Sequence, residues 1–436
     1  MGSEKAAAGG LSRAPGKLSP GPGMSARDVA AHQLARIHNA TVGIVAEQGY
    51  AALKVRDVAS YAEVSTRAFY ELFASKEDCF LRTYELVLRR ATRRIFAAQA
   101  GEGDWRRRLQ LAFEEFLRGL EQRPEDARLA LVEACRASEA SRERAWQAER
   151  TFGGMLAEAL ARAPGGVAVP PLLAEGMVAG IASVSRGCLA EGRLARLSGA
   201  SGELIEWALS YPGRPAGELE RLDRQSIWRD TTLEPLPESE PWPASGDRAL
   251  ILKAAAGLAA STGYESLTAA RIRSAARVSR KKFTAHFDGA EDCCLAALEQ
   301  HAAAAIAQAA RAQAAASSWE GGVYRAIAAL SSHVASDKFL ARALLAQGFP
   351  PGPEGRRSRQ RLAGALTELL APPEEARPPS FAAAASAGAV WSVFQRCMLR
   401  DRPMGRQAAA TLSYLVLAPA VGAPAAVAAI KAEQGA

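Results

Sequence analysis

Apolar residues along this chain recur every three or four positions, the spacing that places side chains on one face of an α-helix. In the segment Ala30–Gln48, Leu34, Ile37 and Val45 keep this spacing, and the pattern stops at Gly49. No stretch alternates apolar and polar residues for long enough to predict a sheet. An alanine-rich composition with only 6% aromatic residues also favours helices, because alanine loses no side-chain entropy there. The pattern therefore predicts an all-α protein.

The same spacing predicts where the other helices of the first half lie. Two short helices are predicted at Val55–Ala62 and Thr66–Leu72, and a long one from Ser75 to about Gln99. Ser65 and Ser75 each precede a helix and can cap it, because a serine hydroxyl accepts a hydrogen bond from a free backbone N–H. Further helices are predicted at Trp105–Leu120, Pro124–Ala137, Glu139–Arg162, Leu172–Glu191 and Gly202–Leu209.

Part of this helical pattern is present twice. The segment Ala35–Glu85 matches Ala249–Glu299 at a constant offset of 214 residues, with 19 of 51 positions identical and no gap. Self-similarity at a fixed spacing indicates a duplicated module. Between the copies, Tyr211–Asp247 is dense in Pro, Glu, Gly and Ser, which predicts a linker with one short helix at Glu218–Ile227.

Charge and rare residues narrow the range of functions. The net charge of +8 is compatible with a polyanionic partner. The six cysteines form no C-x-x-C pair and the five histidines show no metal-ligand spacing, so we expect free thiols and neither a metal nor a cofactor. No apolar run is long enough to predict a membrane span, and Met1–Gly23 lacks the apolar core of a signal peptide. These features predict a cytoplasmic protein with a disordered N-terminal tail.

One segment carries the candidate chemistry of the first copy. Val55–Phe73 reads V-R-D-V-A-S-Y-A-E-V-S-T-R-A-F-Y-E-L-F. It predicts a helix, a tight turn closed by Val64, and a second helix anchored by Phe69 and Phe73. The outward face of the second helix then carries hydroxyl groups and a cation, which suits the major groove of DNA. The alternative is that the two helices form only a packing turn in a helical bundle.

The run from Gly49 to Asp78 reads G-Y-x-x-L-x-V-R-D-V-A-x-x-A-x-V-S-x-x-x-F-Y-x-x-F-x-S-K-E-D. It resembles the N-terminal region of the TetR/AcrR family of transcriptional regulators. The resemblance implies a three-helix DNA-binding region, called the reader below, followed by a longer helical domain that binds a small molecule and dimerises. It also implies which residues of the first copy approach DNA, namely Ser65, Thr66, Arg67, Tyr70 and Lys76. Lys54 and Arg56, at the start of the preceding helix, are further candidates.

The second copy departs from the family pattern. Thr284 stands at the position of Tyr70 and Ala290 at that of Lys76, which removes two phosphate contacts that the resemblance implies. Yet the stretch from residue 266 to 287 contains six Lys or Arg residues and no acid, so this copy is the more basic one. Because attraction to phosphates grows with the number of cations, we expect it to contact DNA as well. Its candidate residues are Thr268, Arg271, Ser279, Arg280, Lys281, Lys282 and Thr284.

The remainder of each module is less specific. Apolar helix stretches carry large side chains that could line a ligand pocket, although such side chains more often form the core. These candidates are Trp146, Phe152, Met155, Met177, Trp391, Phe394 and Met398. Small residues dominate Gly176–Gly187 and Ala382–Gly388, and the resemblance implies dimerisation through the last two helices of each module. We therefore expect a four-helix contact that joins the copies into an intrachain pseudo-dimer, with the chain a monomer or a loose homodimer.

These expectations define a domain plan. It comprises a tail at 1–25, a helix–turn–helix domain at 26–75, a ligand and dimerisation domain at 76–211, a linker at 212–246, a degenerate second reader at 247–289 and a second ligand and dimerisation domain at 290–436.

The function expected from this plan is transcriptional regulation, most often repression in the family. The partners would be a double-stranded DNA operator with unlike half-sites and a small apolar effector, with no membrane involved. The alternative is a ligand-binding or protein-interaction scaffold with a degenerate second reader and weak DNA binding. An enzyme is not expected, because no nucleophile, base or metal cluster is visible.

Overall fold

The computed structural model describes residues 25–162, 169–211, 217–229, 246–262, 267–336, 353–374, 380–399 and 408–435. Within these ranges the regular structure is helical and contains no strand, so the all-α prediction is confirmed. The chain divides into two compact units, one formed by residues 1–148 and 185–201 and the other by 149–184 and 202–436.

The first copy contributes ten helices within the described residues. They are α1 Ala26–Gln48, α2 Val55–Tyr61, α3 Thr66–Leu72, α4 Lys76–Ala98, α5 Trp105–Gln122, α6 Pro124–Arg128, α7 Glu139–Ala161, α8 Pro171–Ala190, α9 Leu194–Gly199 and α10 Ser201–Leu209. The prediction fails for the single helix expected at Pro124–Ala137. Helix α6 covers only its first five residues and passes into a π-helical turn at Leu129–Glu133, in which Ala134 N donates to Leu129 O at 3.0 Å.

The linker and the second copy contribute the remaining described helices. They are α11 Leu219–Arg229, α12 Asp247–Thr262, α13 Ala269–Ala276, α14 Arg280–Thr284, α15 Ala290–Ala314, α16 Trp319–Ser336, α17 Pro353–Leu369, α18 Ser380–Leu399, α19 Ala409–Val421 and α20 Ala423–Gly435. Helix α11 confirms the predicted linker helix to within two residues at its C-terminal end. The expected tail, except Ser25, and linker residues 212–216 and 230–245 lie outside the described residues.

The linker helix α11 packs into the second unit. Leu219 and Leu222 are 0% and 2% exposed. The carboxylate of Asp223 accepts hydrogen bonds from Ala410 N at 2.7 Å and from Thr411 Oγ1 at 2.6 Å, at the first residues of α19. Because the first N–H groups of a helix lack partners within it, this carboxylate takes the role of a cap. The linker is therefore partly a built element of the fold.

We expect the stability of the protein to fall as the pH rises, through Asp223. Burial raises the pKa of its carboxyl from 3.8 to about 7. A raised pKa means that the folded state favours the protonated carboxyl, so its contribution is present below about pH 4 and is lost as the pH rises through 7. Urea unfolding between about pH 5 and 8 should show a slope of up to about 1.4 kcal/mol per pH unit in this window.

The matched variants for this prediction lie on the same helix. Asp223→Asn mimics the protonated carboxyl and should remove the slope. Glu220→Gln removes an exposed acid one turn away whose charge makes the smallest contribution to the raised pKa of Asp223, so it should retain most of the slope. A wild-type protein whose stability follows that of Asp223→Asn at every pH would contradict the prediction.

Helices α8 and α18 approach closely at glycines within the second unit. A Cβ atom added to Gly180 would lie 2.5 Å from the carbonyl oxygen of Ala385 and 2.9 Å from the ring of Trp207, and one added to Gly388 would overlap a serine of α8. The indole N–H of Trp207 on α10 donates to Ser386 Oγ at 3.0 Å. We call this region of α8, α10 and α18 the small-residue contact.

The contact continues onto α19. Tyr211 Oη donates to Leu415 O at 2.8 Å, and Tyr414 Oη donates to Tyr211 O at 2.7 Å. A Cβ atom on Gly176 would lie 2.8 Å from Leu415 Cδ1. The two small-residue segments singled out in the sequence therefore meet, so helices from the ends of both copies share one core. Among the described helices, α8 alone is long and apolar enough to cross a membrane; 61% of its apolar window is buried, as this shared core requires.

Candidate nucleic-acid interface

An aromatic core lies beneath the first helix–turn–helix. Phe69 of α3 and Phe73 just after it are 0% and 1% exposed, and their ring centroids are 5.3 Å apart. Val58 and Ala62 are buried beside them, and the ring of His38 meets Phe73 edge-on at 5.7 Å. Because the core occupies this side of α2 and α3, their other side faces solvent, as predicted.

Two hydrogen bonds fix the turn between α2 and α3. Val64 N donates to Ala59 O at 2.9 Å. Ser65 Oγ accepts from Ala68 N at 3.0 Å, so Ser65 caps α3 as predicted. The turn thereby sets the direction in which α3 leaves α2.

The outward side of α3 carries the expected polar groups. Thr66 and Arg67 are exposed, and Tyr70 is 58% exposed, which is high for an aromatic residue. The guanidinium of Arg67 pairs with Glu71 at 3.1 Å, with both side chains largely in solvent. Such exposed pairs contribute at most about 1 kcal/mol, so DNA can replace Glu71 as the partner of Arg67.

Lys76 lies beside the start of α2. Its Nζ donates to Leu53 O at 3.3 Å and lies 4.8 Å from the ring centroid of Tyr50. Lys54 comes directly after Leu53 in the chain, Arg56 lies in the first turn of α2, and both are exposed. The structure therefore brings these three cations to one end of α2, but Lys76 is half-buried and engaged with the protein.

The helical domain of the first copy contacts the same loop through Glu133. This residue ends the π-helical turn, is 8% exposed, and accepts a hydrogen bond at Oε2 from Tyr50 N at 3.0 Å. A Cβ atom on Gly49, whose φ is 80°, would lie 3.3 Å from that oxygen. Sequence reasoning missed this contact; its signal was an acid that ends the apolar run Leu129–Val132.

Two titratable groups in and next to the first reader are structural. Burial, helped by Arg90, lowers the pKa of His38 to about 4, and its Nδ1 shares a hydrogen bond with Thr83 Oγ1 at 2.7 Å. Burial also raises the pKa of Cys79 to about 11. The imidazole is therefore neutral and the thiol protonated near pH 7, and a protonated thiol is a poor nucleophile or redox sensor.

The second reader repeats the scaffold of the first. Val278 N donates to Arg273 O at 3.1 Å, the counterpart of the bond across the first turn, and Ser279 caps α14 through a backbone N–H at 3.2 Å. Phe283 and Phe287 are buried, with ring centroids 5.9 Å apart. Helix α14 has five residues, whereas α3 has seven.

All seven candidate residues of the second copy are exposed. Thr268 caps α13, and Thr284 Oγ1 donates to Arg280 O at 3.0 Å within α14. Lys282 Nζ pairs with Asp247 at 3.0 Å. For Arg280 and Lys281 no ion pair is found within the described ranges.

The pocket candidates lie in both units. Trp146 is half-buried in the first unit, whereas Phe152, Met155 and Met177 belong to the second. Met177 is 0% exposed and serves as core. In α18 of the second unit Trp391 is half-buried and Phe394 buried, while the side chain of Met398 lies outside the described residues. The expected apolar pocket therefore stays a prediction.

Comparison with known proteins finds one family. The model described as "Bacterial regulatory proteins, tetR family" matches residues 37–83 and again residues 251–297. No curated protein matches the chain.

The solved structures that resemble part of the chain include three regulators. The fatty acid degradation regulator FadR from Bacillus halodurans is 16% identical, with a TM-score of 0.38 over 44% of this chain and 97% of its own. A TetR-like transcriptional regulator from Rhodococcus sp. RHA1 is 16% identical, with a TM-score of 0.35 over 41% and 96%. A putative tetR family regulator from Shewanella sp. PV-4 is 18% identical, with a TM-score of 0.34 over 40% and 95%. Because all three TM-scores are below 0.5, these similarities are not used to assign a family.

The assignment rests on the two family matches and on their local geometry. Both matched segments contain a buried phenylalanine pair, a serine-capped second helix and the same hydrogen bond across the turn. Residues 37–83 and 251–297 therefore each form the helix–turn–helix module of the tetR family of bacterial regulatory proteins, so the chain carries this module twice in tandem.

Proposed function

We propose that the protein is a ligand-responsive transcriptional repressor that binds one operator through two unlike readers in the same chain. The observation that carries the proposal is that the two readers share a backbone scaffold and differ in their exposed residues. Symmetric dimers read palindromes because identical helices face identical half-sites. Here Arg67 and Tyr70 correspond to Lys281 and Thr284, so the two half-sites should differ.

The chain supplies both halves of a pseudo-dimer. In the second unit, the small-residue contact joins helices of the first copy to helices of the second, which supports an arrangement in which one polypeptide replaces a homodimer. Two readers of one operator are productive at a separation of about one DNA turn, near 34–36 Å.

The proposed effector is a small apolar molecule bound in the helical domain behind one or both readers. The hydrogen bond from Tyr50 N to Glu133 supports a route for its effect, because a shift of the π-helical turn would move the loop that leads into α2. We place this activity in the cytoplasm and assign no catalytic step to the protein.

Selection of genomic fragments bound by the full chain tests the proposal. The expected result is enrichment of short sites with two unlike half-sites about one helical turn apart. A variant with Thr66 and Arg67 both changed to Ala serves as the control and should lose the enrichment. Failure of the wild-type chain to enrich any sequence would refute the proposal.

A second candidate function is a ligand-binding or interaction scaffold with weak DNA binding. The short helix α14 and the absence of the family tyrosine at Thr284 favour it. A salt titration of DNA affinity separates the two functions. A regulator retains specific affinity at physiological salt, whereas a scaffold loses all binding as phosphates are screened.

We expect the chain to be a monomer in solution. Both halves of the usual symmetric interface already lie in one polypeptide, so a second chain has no equivalent surface to cover. Light scattering should give a mass near 46.0 kDa at low concentrations, with at most the gradual rise of a loose dimer at high ones. A tight dimer of chains would contradict this expectation and remove the reason for asymmetric reading.

A further inference from the structure

The turns of the two readers share an unusual backbone residue. Glu63 has a φ of 50° and Arg277 a φ of 54°, and they are the only residues other than glycine with positive φ in the described part of the chain. They occupy the same position of the repeat, two residues before the serine that caps the second helix. The left-handed region is unfavourable for any residue with a Cβ atom, so contacts with the rest of the protein must hold the backbone in this conformation.

In the first reader, an ion pair within the protein provides such a contact. Arg36 of α1 is 4% exposed, and its guanidinium donates to Glu63 O at 3.3 Å and to Glu63 Oε2 at 3.5 Å. The pair holds the turn against α1, and Arg36 neutralises the charge of Glu63. Arg36 is too deeply buried to reach DNA, so it acts as a positioning residue.

In the second reader, both members of this pair are changed. Leu250 stands in place of Arg36, and it is 52% exposed although it is apolar. Arg277 stands in place of Glu63, is exposed, and has no ion pair with any residue that the structure describes. The charge at the turn therefore changes from a neutralised acid to an open cation.

We propose that Arg277 contacts a DNA phosphate next to the half-site that the second reader binds. The residues around the start of a reader helix lie where the helix enters the major groove, so a cation there can reach the backbone. Arg277 precedes Arg280 and Lys281 and extends their positive surface onto the turn. This contact compensates for the phosphate contacts that Thr284 and Ala290 cannot make. The proposal rests on the proposed function.

The first test removes the charge and keeps the backbone. Arg277→Gln retains the size and the Cβ atom of the residue and should flatten the plot of log affinity against log salt by about one unit on a mixed-sequence duplex. Arg311→Gln is the matched control, because it removes an exposed arginine at the far end of α15. Equal slopes for Arg277→Gln and the wild type, or equal changes in both variants, would overturn the proposal.

The second test adds the contact to the first reader. The double variant Arg36→Leu and Glu63→Arg copies the second turn into the first and should steepen the salt slope by about one unit. A gain in binding cannot come from unfolding, so this variant separates contact from stability. A double variant that folds, as judged by circular dichroism, without gaining slope would overturn the proposal. If the wild type binds no duplex at all, the proposed function fails and this inference falls with it; if only the variants fail to respond, the inference alone falls.

Discussion

Gly180→Ala is expected to lower the free energy of unfolding of the protein by about 1–3 kcal/mol, the usual range for overpacking a well-filled core. The added Cβ atom would lie 2.5 Å from the carbonyl oxygen of Ala385, and a backbone atom cannot move aside as a flexible side chain can. Helices α8 and α18 must then separate, which weakens the hydrogen bond from Trp207 to Ser386. Urea denaturation measures the loss.

The same helix provides the control. A Cβ atom on Gly187 meets nothing within 4 Å, so Gly187→Ala should stabilise the protein by about 0.5–1 kcal/mol through helix propensity alone. Gly388→Ala should repeat the loss from the other side of the contact, because its Cβ atom would overlap Ser183. Equal stability of the Gly180 and Gly187 variants would show that the close approach of α8 and α18 is absent in solution.

The first reader could be predicted from the sequence because its determinants are local. The spacing of Phe69 and Phe73 identifies the buried side of α3. Ser65 marks the start of α3, because its hydroxyl accepts a hydrogen bond from a residue only three positions further along the chain. The second reader followed from the repeat, because Phe283 and Phe287 sit at the same offset of 214. Periodicity, capping and repetition each act within a few residues, so one sequence is enough to predict them.

The parts that escaped prediction depend on residues far apart in the chain. Arg36 reaches Glu63 across 27 positions, Glu133 reaches Tyr50 across 83, and Asp223 reaches Thr411 across 188. The spacing of these residues in the sequence does not predict which partners they contact. The π-helical turn could not be predicted for a different reason, because its apolar residues fit a continuous α-helix equally well.

Changing Arg280, Lys281 and Lys282 together to Ala is expected to weaken binding to all DNA sequences alike. Removing one cation from a phosphate should flatten the salt slope by about 0.9 unit. Arg280 and Lys281 are exposed and have no ion pair within the described ranges, whereas Lys282 must first leave Asp247 at 3.0 Å. The triple variant should therefore have a salt slope flatter by about two units, and Lys282→Ala alone should show the smallest change.

Arg67→Ala is expected to act on the opposite property. Arg67 lies in the first turn of α3, where side chains reach base edges, and it has only a solvent-exposed pair with Glu71 to give up. Its removal should relax base preference in one half-site by about 1–3 kcal/mol, if it makes a bidentate contact, and leave the salt slope nearly unchanged. Glu71→Gln is the matched control, because it removes the pair and leaves the guanidinium free.

The two sets of variants together separate reading from attraction. Competition between the selected operator and a scrambled duplex should show a smaller preference for Arg67→Ala and an unchanged preference for the triple variant. The reason is that a base contact adds affinity only on the correct sequence, whereas a phosphate contact adds it on every sequence. A footprint over a perfect palindrome, or a triple variant that keeps the wild-type salt slope, would mean that both readers share both tasks. In that case Arg280 and Lys281 would not replace the phosphate contacts of the tyrosine and lysine that the second reader lacks.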